Sequence, residues 1–217
     1  MASYHVGSRV LKGFALGAVL AGGAAAAADP QAAVFQSYLQ SPAYRSILEK
    51  AYNDTEPAML KAQCPALKVT SFDPPEIVLP AKFAKGPRGG WQAVDGAWVQ
   101  RATLDRCGKP VVRRALAETA PNNGLRVRPL LPAEYSGGYK LEPNAIGTVE
   151  INTVYKLGCK DTKKPEVLDI KRVSKPNPGW TELWTLSLCG KTATARVTYL
   201  PGGGQTDIET SEIGYTK

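Results

Sequence analysis

Four cysteines, one histidine and one carboxylate set between two indoles are the residues of this 217-residue chain whose types and spacing could do chemistry. Cys64, Cys107, Cys159 and Cys189 form an even set without a Cys-x-x-Cys spacing. That pattern favours structural disulfides over a redox pair and places the chain in an oxidising compartment. The histidine, His5, sits in an N-terminal stretch where Arg9 and Lys12 precede an uncharged Ala/Gly/Leu/Val run ending at Ala28. This is the layout of a secretory signal peptide over residues 1–28. Cleavage after Ala28 lowers the formal charge from +8 to +6 and leaves no imidazole. Ser-His-Asp and Cys-His catalysis and histidine-ligated metals then fall away, and neither metal nor cofactor is expected.

Trp180, Glu182 and Trp184 share one face of a strand, because side chains alternate with period two. A carboxylate between indoles has the makings of a general acid, and indole faces stack on sugars. The enzymatic reading is therefore a carboxylate-based glycan hydrolase using Glu182, with Asp207 or Glu209 as the second carboxylate such chemistry requires. The opposing reading puts Trp184, Leu186 and Leu188 in the core and pairs Glu182 with a cross-strand cation such as Arg196.

Positive charge gathers in the first half of the chain. Residues 64–132 hold 11 Lys and Arg against 5 Asp and Glu, whereas residues 159–217 hold 9 against 7. Lys82, Lys85 and Arg88 fall in a Gly/Pro-rich loop, and Arg101, Arg106, Lys109, Arg113 and Arg114 flank a predicted hairpin. Together they make a candidate anion-attracting surface. Outside the cytoplasm its partners would be lipopolysaccharide, anionic phospholipid or acidic glycan, with no nucleic acid.

The elements that must position these residues emerge from an internal repeat. Trp98, Thr103, Leu104 and Cys107-Gly108-Lys109 recur without gaps at Trp180, Thr185, Leu186 and Cys189-Gly190-Lys191, a constant offset of 82. Spacing alone allows three cysteine pairings. If the copies fold alike, each closes its own ring, Cys64 with Cys107 and Cys159 with Cys189.

Helical periodicity marks residues 29–63, with start signals at Asp29-Pro30 and Ser41-Pro42 and a stripe of Tyr44, Ile47, Leu48, Ala51 and Tyr52. Beyond Cys64 short apolar runs alternate with Pro, Gly and Asn, which predicts strands at 66–72, 97–105, 110–119 and 125–131. The second copy has strands at 166–173, 180–188, 192–200 and 205–209. Between the copies, residues 133–158 read as a connecting strand segment carrying Val149, Ile151, Tyr155 and Leu157 on one face. The expected fold is α+β: a helical segment (29–63), then two antiparallel β-meander units (64–132 and 159–217), each closed by a disulfide.

Trp180, Glu182, Trp184, Cys189 and Gly190 resemble the Trp-x-Glu-x-Trp-x4-Cys-Gly signature of a group of uncharacterised exported proteins of Gram-negative bacteria. The first copy departs from that signature with Gln100 and Ala102. The resemblance implies export and the repeat, and no activity. The expectation is thus a non-catalytic exported cell-envelope protein, periplasmic or secreted, that binds an anionic envelope component or an envelope protein.

Overall fold

Ser41 and Pro42 open a helix for separate reasons. The Ser41 hydroxyl accepts the Tyr44 N–H at 3.2 Å, and Pro42 brings a preset φ to the first turn, where its missing N–H has no partner to lose. The computed structural model describes residues 30–87, 89–120, 124–132, 135–159, 164–174 and 178–216. The expected leader at 1–28 lies outside them.

Helices α1 (Pro30–Leu39), α2 (Pro42–Thr55) and α3 (Ala58–Gln63) precede an antiparallel sheet of β1 (Leu67–Phe72), β2 (Glu76–Lys85), β3 (Trp91–Arg106), β4 (Lys109–Thr119) and β5 (Leu125–Pro129). Its order is β1-β3-β4-β5, with β2 pairing the other half of the long strand β3. Tyr44, Leu48 and Tyr52 form the buried α2 stripe, which joins Phe35, Tyr38 and Leu39 of α1 over Trp98, Ala102 and Leu104.

A fourth helix, α4 (Gly138–Leu157), leads into the second antiparallel sheet, β6 (Glu166–Arg172), β7 (Trp180–Leu188), β8 (Lys191–Gly202) and β9 (Gln205–Tyr215), in sequential order. Ala145 and Val149 of α4 pack on Ile170, Trp184, Leu186, Val197 and Tyr199. On the far face of the first sheet, Tyr139 of α4 packs with Leu130 against Val99 and Leu116. The first sheet is therefore covered on one face by α1 and α2 and, around Val99 and Leu116, on the other by Tyr139 of α4, so α4 belongs to both layers.

The two sheets share their register. Trp98 faces Ala117 and Arg106 faces Lys109; 82 residues on, Trp180 faces Tyr199 and Leu188 faces Lys191. The outer strand shifts register between Val69 and Ser71 opposite Leu104 and Thr103, and again between Val167 and Asp169 opposite Leu186 and Thr185. Both central hairpins turn through Cys-Gly with positive φ at each residue, 49° and 83° at Cys107-Gly108, 52° and 69° at Cys189-Gly190. Such a two-residue turn matches the right-handed twist of its strands.

Disulfides join Cys64 to Cys107 and Cys159 to Cys189, with Cα atoms 5.9 and 6.1 Å apart. They point to an oxidising, extracytoplasmic location. Among the described residues no helix is long and apolar enough to cross a membrane.

Two expectations are corrected. The expected connecting strand at 133–158 is overturned where the structure describes it: Gly138–Leu157 form α4, whose buried stripe is Glu142, Ala145, Val149 and Thr153, while Ile151 and Tyr155 are 70% and 89% exposed. The alternation of Val149, Ile151, Tyr155 and Leu157 imitated period two, whereas the burial follows the helical period. Strand β2, in turn, holds Pro80, Lys82 and Lys85 where the expectation is a Gly/Pro-rich loop. As an edge strand with repeated register shifts it tolerates a residue lacking an N–H.

The rings span sequence separations of 43 and 30 residues, for which chain entropy gives a stabilisation of up to about 4 kcal/mol each. Replacing Cys159 and Cys189 by Ser should lower the unfolding free energy measured in urea by up to that amount. Peptide mapping without reduction should recover both bridges within the units; a bridge joining the units would contradict the fold.

Candidate functional site

Strand alternation places Glu182 on the same face as Trp180 and Trp184, and that face looks inward. The Glu182 side chain is fully buried. Its Oε1 accepts the Ser136 N–H at 2.8 Å and the Trp180 Nε1–H at 3.3 Å, and Oε2 accepts the Trp184 Nε1–H at 3.0 Å. The indoles thus offer it their N–H groups. Their faces are spent on Tyr199, stacked 4.6 Å from Trp180, and on Tyr135, set edgewise 6.1 Å from Trp184. Burial raises the pKa of both tyrosines, and the Glu182 charge raises them further.

Gln100 occupies the corresponding position of the first sheet and is equally buried. Its Nε2 donates to the carbonyls of Asp73 and Arg101 at 2.7 and 2.9 Å, and its Oε1 accepts the Tyr44 hydroxyl at 3.4 Å. Tyr44 in turn accepts the Trp98 Nε1–H at 2.8 Å. Both residues do one job, binding the sheet to the segment that covers it.

The expected partners of Glu182 lie elsewhere. Its cross-strand neighbour is Val197, while Arg196 points to the other face and meets Glu212 at 2.9 Å. Asp207 and Glu209 pair in register with Leu200 and Thr198, and Thr198 with Thr181, so both carboxylates lie on the face opposite Glu182. No two-carboxylate pair is assembled around Glu182 among the described residues.

The eight basic residues do not form one patch. Lys82 meets Asp95 at 2.9 Å, Arg101 meets Asp73 at 3.0 Å, and Lys85 lies 4.0 Å above the Trp91 ring. Lys109 is exposed at the hairpin turn, and Arg88 lies outside the described residues.

The structure instead gathers Arg106, Arg113 and Arg114 into the junction between the units, each with at most 17% of its side chain exposed. Arg106 and Arg113 share the buried carboxylate of Glu56, the latter at 3.5 Å. Arg114, on the other face of β4, approaches Glu142 of α4 to 3.8 Å and lies 5.9 Å from the Tyr135 ring centroid. Glu142 also accepts the Leu131 N–H. Burial raises its pKa, and Leu131, Arg114 and Arg128 pull it back. Four guanidinium groups therefore surround two buried carboxylates.

A cleft of about 320 Å³ opens at this junction, with Tyr52, Glu56, Arg113 and Arg128 among its walls. Tyr52 is 2% exposed, and its hydroxyl has no hydrogen-bond partner among the described residues. Burial raises its pKa, while the charges of Arg113 and Arg114 lower it. A second cleft of about 630 Å³ exposes Arg101, Arg106 and Arg113 beside Asp169. Among the described residues no group of three His, Cys, Asp or Glu could hold a metal ion.

Glu56, Arg128 and Glu142 went unmarked in the sequence, and Tyr52 was marked only as part of a helical stripe. One signal was there: adjacent arginines on a strand point to opposite faces, so burying both calls for a carboxylate on each side. Comparison of the chain with protein-family models, with curated proteins and with solved structures gives no match.

Two outcomes follow for stability. Glu182→Gln turns one acceptor into a donor facing an N–H and should lower the urea-unfolding free energy by about 1 to 3 kcal/mol; unchanged stability would refute the hub role. Glu56→Ala leaves Arg106 and Arg113 buried without their carboxylate and should lower it by about 3 to 5 kcal/mol in the same assay.

Proposed function

We propose that the chain is a non-catalytic exported cell-envelope protein that holds an anionic envelope component at the junction of its two units. The single observation carrying this reading is the gathering of guanidinium there: Arg106, Arg113 and Arg114, each with at most 17% of its side chain exposed, with the half-buried Arg128 nearby. A guanidinium does not shed its proton when buried, so it must find counter-charge.

Two further carboxylates border the junction, and the charge of one of them, Asp169, also acts on Arg113. Glu166 accepts the Ala58 N–H at 3.1 Å, and the half-exposed Asp169 lies 3.9 Å from Lys171. The shared chemistry of the ligand is an anionic oxygen group, as on lipopolysaccharide, anionic phospholipid or acidic glycan. Export rests on the leader-like sequence of residues 1–28 together with the disulfides.

The units read as copies of one ancestral segment: the 82-residue offset is accompanied by matched bulges and matched Cys-Gly turns. In this reading the first copy and α4 build the site, and the second copy closes it.

Sedimentation with vesicles tests the reading. Phosphatidylglycerol vesicles should retain the protein at about 50 mM salt and release it progressively by about 200 mM, whereas phosphatidylcholine vesicles should not retain it. Equal retention by both, or none by the anionic vesicles at low salt, would overturn the proposal.

A further inference from the structure

Among the described residues the two most exposed large apolar side chains sit together on α4: Tyr155 at 89% and Ile151 at 70%. They are four residues apart, so they are neighbours on the side of the helix opposite its buried stripe of Glu142, Ala145, Val149 and Thr153. Gly147, one turn before Ile151, lies on that side too, and a Cβ placed there would meet nothing within 4 Å. The packing of α4 on the sheets leaves this ridge unused.

Cations border it. Lys156 is exposed next to Tyr155, and Lys164, with 84% of its side chain exposed, approaches Glu150 of the same helix to 3.9 Å. Lys140, also exposed, falls three turns from Ile151 on the same side. The helix carries two carboxylates: Glu142 is buried, and Glu150 has 22% of its side chain exposed and faces Lys164. From this juxtaposition we infer that the outer side of α4 is a membrane-contact surface. Ile151 and Tyr155 enter the interfacial layer of an anionic phospholipid bilayer, and Lys140, Lys156 and Lys164 meet its headgroups. The inference rests on the envelope reading and adds to it a surface made of residues other than the junction arginines.

Area and charge select a bilayer over a second copy of the chain. A stable pair of proteins buries about 800 Å² on each partner, far more than two side chains of one helix supply. Attachment to a bilayer scales with the apolar area buried plus the attraction of cations to anionic lipid, so a small ridge flanked by lysines counts there. Tyrosine suits that boundary, with an apolar ring and a wet hydroxyl, and lysine stems lie along the apolar layer while their ammonium groups stay among headgroups. The contact is peripheral, since among the described residues no helix is long and apolar enough to cross a membrane.

Sedimentation with phosphatidylglycerol vesicles at about 50 mM salt tests the inference on the full chain. The double variant Ile151→Ser, Tyr155→Ser should bind about tenfold more weakly or worse, the scale of one large apolar side chain returned to water. Lys156→Gln and Lys164→Gln should each weaken binding about fivefold. Thermal melts establish that these surface variants are folded. In Tyr155→Trp, phosphatidylglycerol with brominated acyl chains should quench more emission than it does in the parent. No added quenching would overturn the inference. So would self-association of the parent that the double variant loses in sedimentation velocity without vesicles, because the ridge would then belong to a second copy. Parental retention of the double variant would overturn the inference and leave the junction reading standing, whereas no retention of the parent would remove both.

Discussion

Arg113 and Arg114 are neighbours on β4, so they point to opposite faces of the first sheet, and neither can become neutral by losing a proton. Both side chains are largely buried, and the rest of the arrangement follows from meeting this demand. On one face the carboxylate comes from Glu56, the residue that closes α2; on the other it comes from Glu142 in the first turns of α4. The covering layers are thus held by charge as well as by apolar contact. Leaving either arginine without its carboxylate would be more damaging than never having buried the pair.

The same demand explains why the two units differ where their registers coincide. Val99 and Leu116 of the first sheet correspond to Thr181 and Thr198 of the second. The former pair is covered by Leu130 and Tyr139, so it is apolar. The latter pair stands outside the three apolar clusters and brings two hydroxyls within 3.4 Å of each other across the strands. A terminal unit with a polar outer face is what an array of two requires. Glu182 and Gln100 differ in the same way: the carboxylate accepts from a backbone N–H and two indoles, whereas the amide must also donate to two carbonyls.

Much of the meander framework was legible in the sequence, because it is written in local signals. The Cys-Gly turns, the alternating strands β7 and β8 and the 82-residue offset all operate over short distances along the chain, and the disulfide pairing followed from the offset. Helix α4 was not legible, since Pro143, Gly147 and the β-branched Val149, Ile151 and Thr153 weaken its local preference and packing between two sheets overrides it. The cleft was hidden for a different reason. Its charged groups come from the end of α2, from β4, from β5 and from β6, and no spacing rule links Glu56, Arg113, Arg128 and Glu166. The basic residues that were legible by composition turned out to be spread over both faces and the edges of the sheet, most of them matched to a nearby carboxylate or ring.

The central claim is that the guanidinium groups gathered at the junction take up an anion. Guanidinium Nε–H resonances, followed by ¹⁵N NMR while a monocarboxylate is added, report on this directly. The account predicts that the Arg113 and Arg128 signals shift together along one saturation curve while that of the exposed Arg126 stays in place. Shifts confined to surface side chains, with Arg113 and Arg128 unmoved at saturation, would contradict it.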